Sequence, residues 1–491
     1  MTTSLGPLLL TAFALAPLQD TEEEPTGVLV REPGAFEGYT LYCPLDSGTT
    51  YLVGMDGEPV HTWRSELPPG SAIYLQDDGS ILRGFRVNEN PVFHGGGLGG
   101  GIQRITWDGE VTWEYQVSSK DFSQHHDIEP LPNGNVLLIA WEHVAPDMAL
   151  RLGRDPEVVD DEGWWPDAVY EVKPVLPDGA EVVWEWHAKD HLIQDREPSK
   201  PSYGSIPDRP GRIDVNGDHR DLPPETEEER ERREKLEEEM AALGYTGGSA
   251  GNGRDDKPRE SEGRPDWLHT NAVEYNAELD LVMLSTPEFS EIWILDHSTT
   301  TEEARGSTGG RYGRGGDLLY RWGNPRTYGR GTADDQILSY QHDPTWIPAG
   351  YPGAGNVLIL NNGRDRGWSS VDEISLPLAG GAFELEAGVA FGPEAPAWTY
   401  GSAAGEFFAP FISGAQRLPN GNTLVCVGPE GLVREVTADG ETVWELRNGF
   451  GGDIPMSFGN AAERTPPVKS GALFRATRIA PDHPALAGRE L

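Results

Sequence analysis

Only two cysteines, Cys43 and Cys426, occur in 491 residues, and 39 basic residues stand against 80 acidic ones. Two thiols cannot build a thiolate metal cluster, which needs three or four such ligands. The formal charge of −41 repels phosphate backbones and anionic headgroups, which argues against nucleic acid or an anionic membrane as partner. Salt screens that field over about 10 Å at 0.1 M, so a small anion is admitted only where local positive groups override it. Long apolar runs are missing as well. Beyond the N-terminus no stretch approaches the roughly 20 apolar residues of a spanning helix.

The N-terminus itself carries a short apolar run, Leu8-Leu-Leu-Thr-Ala-Phe-Ala-Leu-Ala, followed by the acidic segment up to Glu24. It is too short to span a bilayer and ends in small residues, so residues 1–18 are expected to be a secretory signal peptide. No Lys or Arg precedes the run, and a disordered or buried lead segment is the alternative. The expected destination is the periplasm or the exterior. There a Cys43–Cys426 disulfide could form between the first strand-like run, Tyr39-Thr-Leu-Tyr-Cys, and the last repeat, Asn422-Thr-Leu-Val-Cys-Val. Two buried free thiols are the competing reading.

What the chain has in abundance is turn chemistry at regular places. Leu131-Pro-Asn-Gly-Asn and Leu418-Pro-Asn-Gly-Asn each open a run of alternating apolar residues. Asp-Gly joins two such runs in Ile105-Thr-Trp-Asp-Gly-Glu-Val-Thr-Trp-Glu, Pro177-Asp-Gly-Ala-Glu-Val-Val-Trp-Glu and Thr437-Ala-Asp-Gly-Glu-Thr-Val-Trp-Glu. Asn-Gly and Asp-Gly supply the positive φ angles that tight hairpins require. Four-strand units repeated in this way predict an all-β fold, a six-bladed β-propeller over residues 25–480. The blades begin near Thr40, Ser71, His125, Trp267, Gln341 and Ser413, the first being completed from the far end of the chain. Trp113, Trp184 and Trp444, each in a Val-Trp-Glu-like strand, read as packing between blades.

Residues 188–265 break the pattern. This stretch is rich in proline, glycine and charge, and Glu225–Leu243 within it predicts a solvated helix stopped by Gly244. It reads as a charged, partly disordered insertion between two blades, with a partner-binding arm as the sharper alternative. Gly247-Gly-Ser-Ala-Gly251 imitates a nucleophile elbow, but Ser249 lacks the flanking strand and helix that an elbow needs. His94-Gly-Gly-Gly97 imitates an oxyanion loop. Asp214, Asn216, Asp218 and Glu225 have the spacing of a calcium loop, with His219 where its glycine belongs.

Three histidines occupy equivalent repeat positions: His126 in His-Asp-Ile-Glu-Pro-Leu-Pro, His342 in His-Asp-Pro-Thr-Trp-Ile-Pro, and His269 in Trp-Leu-His-Thr-Asn-Ala-Val-Glu-Tyr. A single histidine beside an apolar strand is usually structural. The last repeat, however, carries Ser413 at this place, so the fold does not demand histidine there. Three imidazoles facing one axis could ligate a transition metal. They could equally act in covalent catalysis, one attacking an electrophile while its neighbours stabilise the transferred group. Both chemistries are open from the residues alone, and so is a non-catalytic binding propeller.

At this level of detail the chain resembles the bacterial arylsulfate sulfotransferases. The likeness rests on Asp266-Trp-Leu-His-Thr-Asn-Ala-Val-Glu-Tyr, His125-His-Asp, Tyr340-Gln-His, Asn361-Asn-Gly-Arg-Asp-Arg, Ser290-Glu-Ile-Trp-Ile-Leu-Asp-His and Ser413-Gly-Ala-Gln-Arg-Leu. It spans roughly residues 100–450 without the insertion. The resemblance implies a six-bladed propeller that moves a sulfuryl group from an aryl sulfate ester to a phenol in ping-pong order. Neither a nucleotide sulfate donor nor any other cofactor is implied. His342 then falls at the nucleophile that becomes sulfated, and His126 and His269 at its two supporting histidines. His126 is expected to act as acid for the departing phenolate and then as base, while His269 holds the sulfuryl oxygens.

One element of the family pattern is missing. Where the family has Ser-Ser-Arg, this chain reads Ser285-Thr286-Pro287-Glu288, so proline stands in the arginine's place and an acid follows. Arg366 or Arg364, after Asn362-Gly363, is expected to supply the charge, and Trp267 and Tyr340 to wall the phenyl ring. The partners implied are a small aryl sulfate and a phenol; the oligomeric state is not specified.

Overall fold

The computed structural model describes residues 25–222, 226–243, 245–247, 264–454 and 471–491. The apolar N-terminal run and Ser249 of the elbow-like motif lie outside the described residues.

Six four-stranded antiparallel sheets form the six blades of a β-propeller. In five of them the chain runs from the innermost strand outward: Pro69–Leu75, Phe122–Pro130, Ala272–Asn276, His342–Trp346 and Gly414–Arg417 are the inner strands of blades 2 to 6. Blade 1 is assembled from both ends. Its inner strand is Leu473–Ile479, which pairs antiparallel with Tyr39–Pro44. Gly27–Arg31 adds a fifth strand outside blade 6, paired with Thr442–Arg447. The ring is therefore closed twice by backbone pairing, once in blade 1 and once in blade 6. Cys43 and Cys426 are both buried and unbridged, so the closure carries no disulfide among the described residues.

A tryptophan on the outer strand of every blade reaches the next blade. The indole N–H of Trp113 donates to Gly179 O at 2.8 Å, that of Trp184 to Thr299 Oγ1 at 3.1 Å, and that of Trp322 to Pro393 O at 2.7 Å. Trp398 donates to Ala438 O at 2.9 Å and Trp444 to Met55 O at 3.0 Å. Trp63 of blade 1 instead meets Trp107 of blade 2 edge to face, with centroids 5.3 Å apart. The Val-Trp-Glu-like strands owe their tryptophans to this contact: a large ring fills the wedge between twisted sheets, and its N–H finds an acceptor across the gap.

The described part of the insertion after blade 3 makes specific contacts with the blades. Residues 188–222 are stitched to blades 3 and 4: His191 lies between Asp317, at 2.9 Å, and Ala304 O, at 2.8 Å, and Arg321 reaches Arg212 O at 3.1 Å. Of the calcium-like residues Glu225 lies outside the described residues, Asn216 binds the backbone at Asp155 and Gly153, and the two aspartates are spent on arginines. Arg154 grips Asp218 with two bonds of 2.6 Å, and Arg220 Nε bonds Asp214 at 2.5 Å. The expected helix forms over Glu227–Ala242. It is not solvated all round. Leu236, Met240 and Leu243, spaced on one face, pack beside Leu45, Phe411, Ile412 and Phe474.

Candidate active site

The inner strands begin with a kink. Pairing registers shift between Gln124 and Ile128 in blade 3 and between His342 and Thr345 in blade 5. His126 has φ 49° and His269 φ 53°, a left-handed conformation that costs a non-glycine residue about 1 kcal/mol or more. The kink brings the two imidazoles together. Their ring centroids are 4.4 Å apart, edge to face. Phe474 of blade 1 lies 6.4 Å from the ring of His126 and 6.4 Å from that of His342. The three histidines named from the sequence thus surround one small volume.

Each ring is held in a different state. At His342, Nδ1 lies 2.7 Å from Asn362 Oδ1. The Asn362 amide can face it only one way, because its NH2 donates to Ala409 O at 2.6 Å and Ile412 O at 3.0 Å. His342 therefore donates from Nδ1 and carries its lone pair on Nε2, which is buried without a partner among the described residues. Burial, with the charges of His269 and Arg364 nearby, outweighs the Asn362 bond and pushes its pKa down to about 3. His342 is a neutral imidazole with a bare, desolvated nitrogen.

His269 is the opposite case. Its Nδ1–H donates to Asp266 Oδ2 at 2.5 Å, and the indole of Trp141 donates to the other oxygen at 3.0 Å. Burial resists charging the ring, but the carboxylates of Asp266, Glu288 and Asp167 outweigh it and hold the His269 pKa above its ordinary value. Burial likewise resists charging the Asp266 carboxylate, and the imidazolium beside it wins there too, holding it low. Of the three rings His269 is the one most readily protonated.

His126 stands at the end of a relay. Its Nδ1 is 2.7 Å from His125 Nδ1, and His125 Nε2 is 3.3 Å from Asp167 Oδ1. The latter contact is off the angle for a formed hydrogen bond, yet a carboxylate there repels a lone pair, so His125 carries its proton on Nε2. His126 then donates from Nδ1 to His125, leaving its own Nε2 as an acceptor. The hydroxyl of Tyr245 donates to that nitrogen at 2.8 Å. Burial, then the neighbouring His269, His125, His342 and Arg475, holds the His126 pKa well below its ordinary value.

Sequence reasoning met His125, Asp266 and Asn362 only as motif residues without a role, and missed Tyr245 and Asp167. Tyr245 arrives on the arm that follows helix Glu227–Ala242, through a two-residue pairing of Thr246–Gly247 with Gly95–Gly96. The three-glycine loop that imitates an oxyanion hole has another use. A Cβ on Gly97 would lie 2.0 Å from His126 Nε2, and one on Gly96 2.6 Å from the Tyr245 ring, so only glycine lets phenol and imidazole meet there.

The other expected residues divide. Arg364 lies 3.7 Å over the Tyr340 ring and donates from Nε to Pro410 O at 3.2 Å. It stands close enough for its charge to act on His342. Tyr340 is beside the site, its hydroxyl directed at Glu288 at 3.4 Å and its carbonyl 3.2 Å from His342 Nδ1. Arg366 is elsewhere. It stacks on Trp368 at 3.6 Å and donates to Ser370 Oγ at 2.6 Å. Trp267 is core: it is buried against Trp164 and Phe289, with centroids at 4.7 and 5.5 Å. Among the described residues no three histidine, cysteine or carboxylate groups converge to hold a metal. One residue further along the inner strands, Arg475 bridges Asp127 at 2.8 Å and Asp343 at 3.2 Å, tying blades 1, 3 and 5 together under the histidines.

The arylsulfotransferase (ASST) family model matches residues 51–448, most of the chain. The protein belongs to the arylsulfotransferase family. No curated protein matches it. Solved structures that align include a protein of unknown function from Bacteroides caccae, 11% identical with a TM-score of 0.42, covering 90% of this chain and 99% of that one. A putative 6-phosphogluconolactonase from Bacteroides fragilis aligns at 8% identity and TM-score 0.37, covering 90% and 98%. At these scores nothing rests on either. Family membership supports arylsulfotransferase activity in general, and small aryl substrates fit the family.

Proposed function

We propose that this arylsulfotransferase moves a sulfuryl group from an aryl sulfate ester to a phenol through a sulfated His342, in ping-pong order, after export to the periplasm or beyond. The carrying observation is the bare Nε2 of His342, a neutral nucleophile beside the readily protonated His269. The lone pair on Nε2 attacks sulfur, the S–O bond to the aryl group breaks, and the aryloxide leaves. A phenol then attacks the sulfur, and the S–N bond returns its electrons to the ring.

The proton inventory supports a division of labour different from the one read from the sequence. His126 Nε2 has no proton to give, so it suits the base for the incoming phenol, with His125 and Asp167 behind it. His269, charged and backed by Asp266, suits the acid for the departing aryloxide and steadies the sulfuryl oxygens. Arg364 adds the second positive charge that Pro287 denies. The rival metal reading is weakened because the His126 lone pair is already engaged by Tyr245.

Intact-mass spectrometry after mixing with an aryl sulfate tests the covalent step. One added sulfuryl group, acid-labile and absent in His342→Ala, is the expected result. Phenol release with no adduct under rapid quenching would sink the ping-pong route. Neither adduct nor phenol release would favour a binding propeller, the reading that the missing arginine supports.

A further inference from the structure

The site already contains a phenol. Tyr245 presents its hydroxyl to His126 Nε2 at 2.8 Å, which is where an attacking phenol must surrender its proton. Its ring is wedged against Phe411, with centroids 5.6 Å apart, and lies 6.0 Å from the His126 ring. It belongs to the same apolar cluster as Phe474, the ring that also borders His342. Arg364 acts electrostatically on both Tyr245 and His342. A buried tyrosine needs some partner for its hydroxyl; this one is given the base of the site, by a loop whose glycines are cut away for both rings.

We infer that Tyr245 is itself a sulfuryl acceptor, so that the enzyme carries its own tyrosine O-sulfation site on the arm that follows the insertion's helix. The inference rests on the transfer reading above. In the step, a lone pair of Tyr245 Oη attacks the sulfur carried by His342 Nε2. The S–N bond breaks, its electrons return to the imidazole, and the phenolic proton passes to His126 Nε2. With the donor half-reaction, the balance is aryl sulfate plus tyrosine giving phenol plus tyrosine O-sulfate. External phenols and Tyr245 compete for one place beside His126, and a sulfated Tyr245 can no longer donate to that nitrogen.

The test is peptide mapping of the full chain after incubation with 4-nitrophenyl sulfate alone, while nitrophenol release is followed by absorbance. The expected result is a sulfate ester on Tyr245, stable to the mild acid that strips sulfohistidine. It should be absent in His342→Ala, absent in Tyr245→Phe, and suppressed as a competing phenol is added to the wild type. Because the mapping is read on the wild type, a misfolded variant would not spoil it. Nitrophenol release, or label on His342, with Tyr245 unmodified overturns this inference and leaves the transfer reading intact. No release and no label overturns both.

Discussion

His342 Nδ1 lies 2.7 Å from Asn362 Oδ1, and that bond decides which nitrogen of the ring can attack. Asn362→Leu keeps the volume and removes the acceptor. Turnover with an aryl sulfate should then fall about 10- to 100-fold, the usual loss when the group orienting a functional histidine is removed, with a smaller change in KM. Asn362→Asp keeps the acceptor but adds charge that favours the imidazolium. It should move the acid limb of the pH profile upward from the low value that His342 now gives it. A variant that loses only thermal stability and keeps its kcat would show Asn362 to be structural.

The His269–Asp266 pair sets the alkaline side. The working state needs His342 neutral and His269 charged, so kcat/KM should be level through mildly acidic pH and fall as pH rises through the raised His269 pKa. Asp266→Asn removes the carboxylate and should shift that fall to lower pH. Stability follows the same signs. The pair contributes fully below the ordinary imidazole value of 6.5, and its contribution fades as pH climbs through the raised one. His342 works oppositely: below 6.5 the unfolded chain takes up a proton that the buried ring refuses, so stability drains away as pH falls towards about 3. Denaturation midpoints of wild type, Asp266→Asn and His342→Gln across pH would separate the two.

Much of this site was legible in the sequence because repeats make equivalent positions visible. His126, His269 and His342 announced themselves by recurring at one point of the blade, and Trp113, Trp184 and Trp444 by their shared strand. What orients them was not legible. Asp167 and Asn362 come from other strands and loops, joined to the histidines by closure of the ring rather than by spacing. Tyr245 was hidden in a segment whose charge masked the helical spacing of Leu236, Met240 and Leu243. Arg364 and Arg366, two residues apart, looked interchangeable, because nothing in Asn-Gly-Arg-Asp-Arg tells which side chain turns inward at Gly363.

The two arginines can be told apart by rate. Arg364→Ala removes the guanidinium over Tyr340, beside His342, and should lower kcat/KM for an aryl sulfate about tenfold or more, the scale of one charge-assisted contact. Arg366→Ala breaks the contacts to Trp368 and Ser370 and should register mainly as a lower melting temperature. Equal losses of rate would mean that both guanidiniums reach the sulfuryl group.

The tryptophan ring contact offers a test of the closure itself. Trp444 links blade 6 to blade 1 through its 3.0 Å bond to Met55 O, and those two blades are also where both chain ends are sewn in. Trp113 makes the same kind of bond between blades 2 and 3, at 2.8 Å, with continuous chain on either side. Replacement by phenylalanine leaves an aromatic ring in the wedge and deletes the donor. Each substitution should cost about 1 kcal/mol for the bond plus a similar amount for the lost ring area. If the blades unfold as one unit, Trp444→Phe and Trp113→Phe should lower the denaturation midpoint equally. If the seam opens first, Trp444→Phe alone should advance an early transition, seen as faster hydrogen exchange in Leu473–Ile479 and Gly27–Arg31 while the strands of blades 2 and 3 stay protected. Equal exchange throughout the ring in Trp444→Phe would show that the seam has no separate stability.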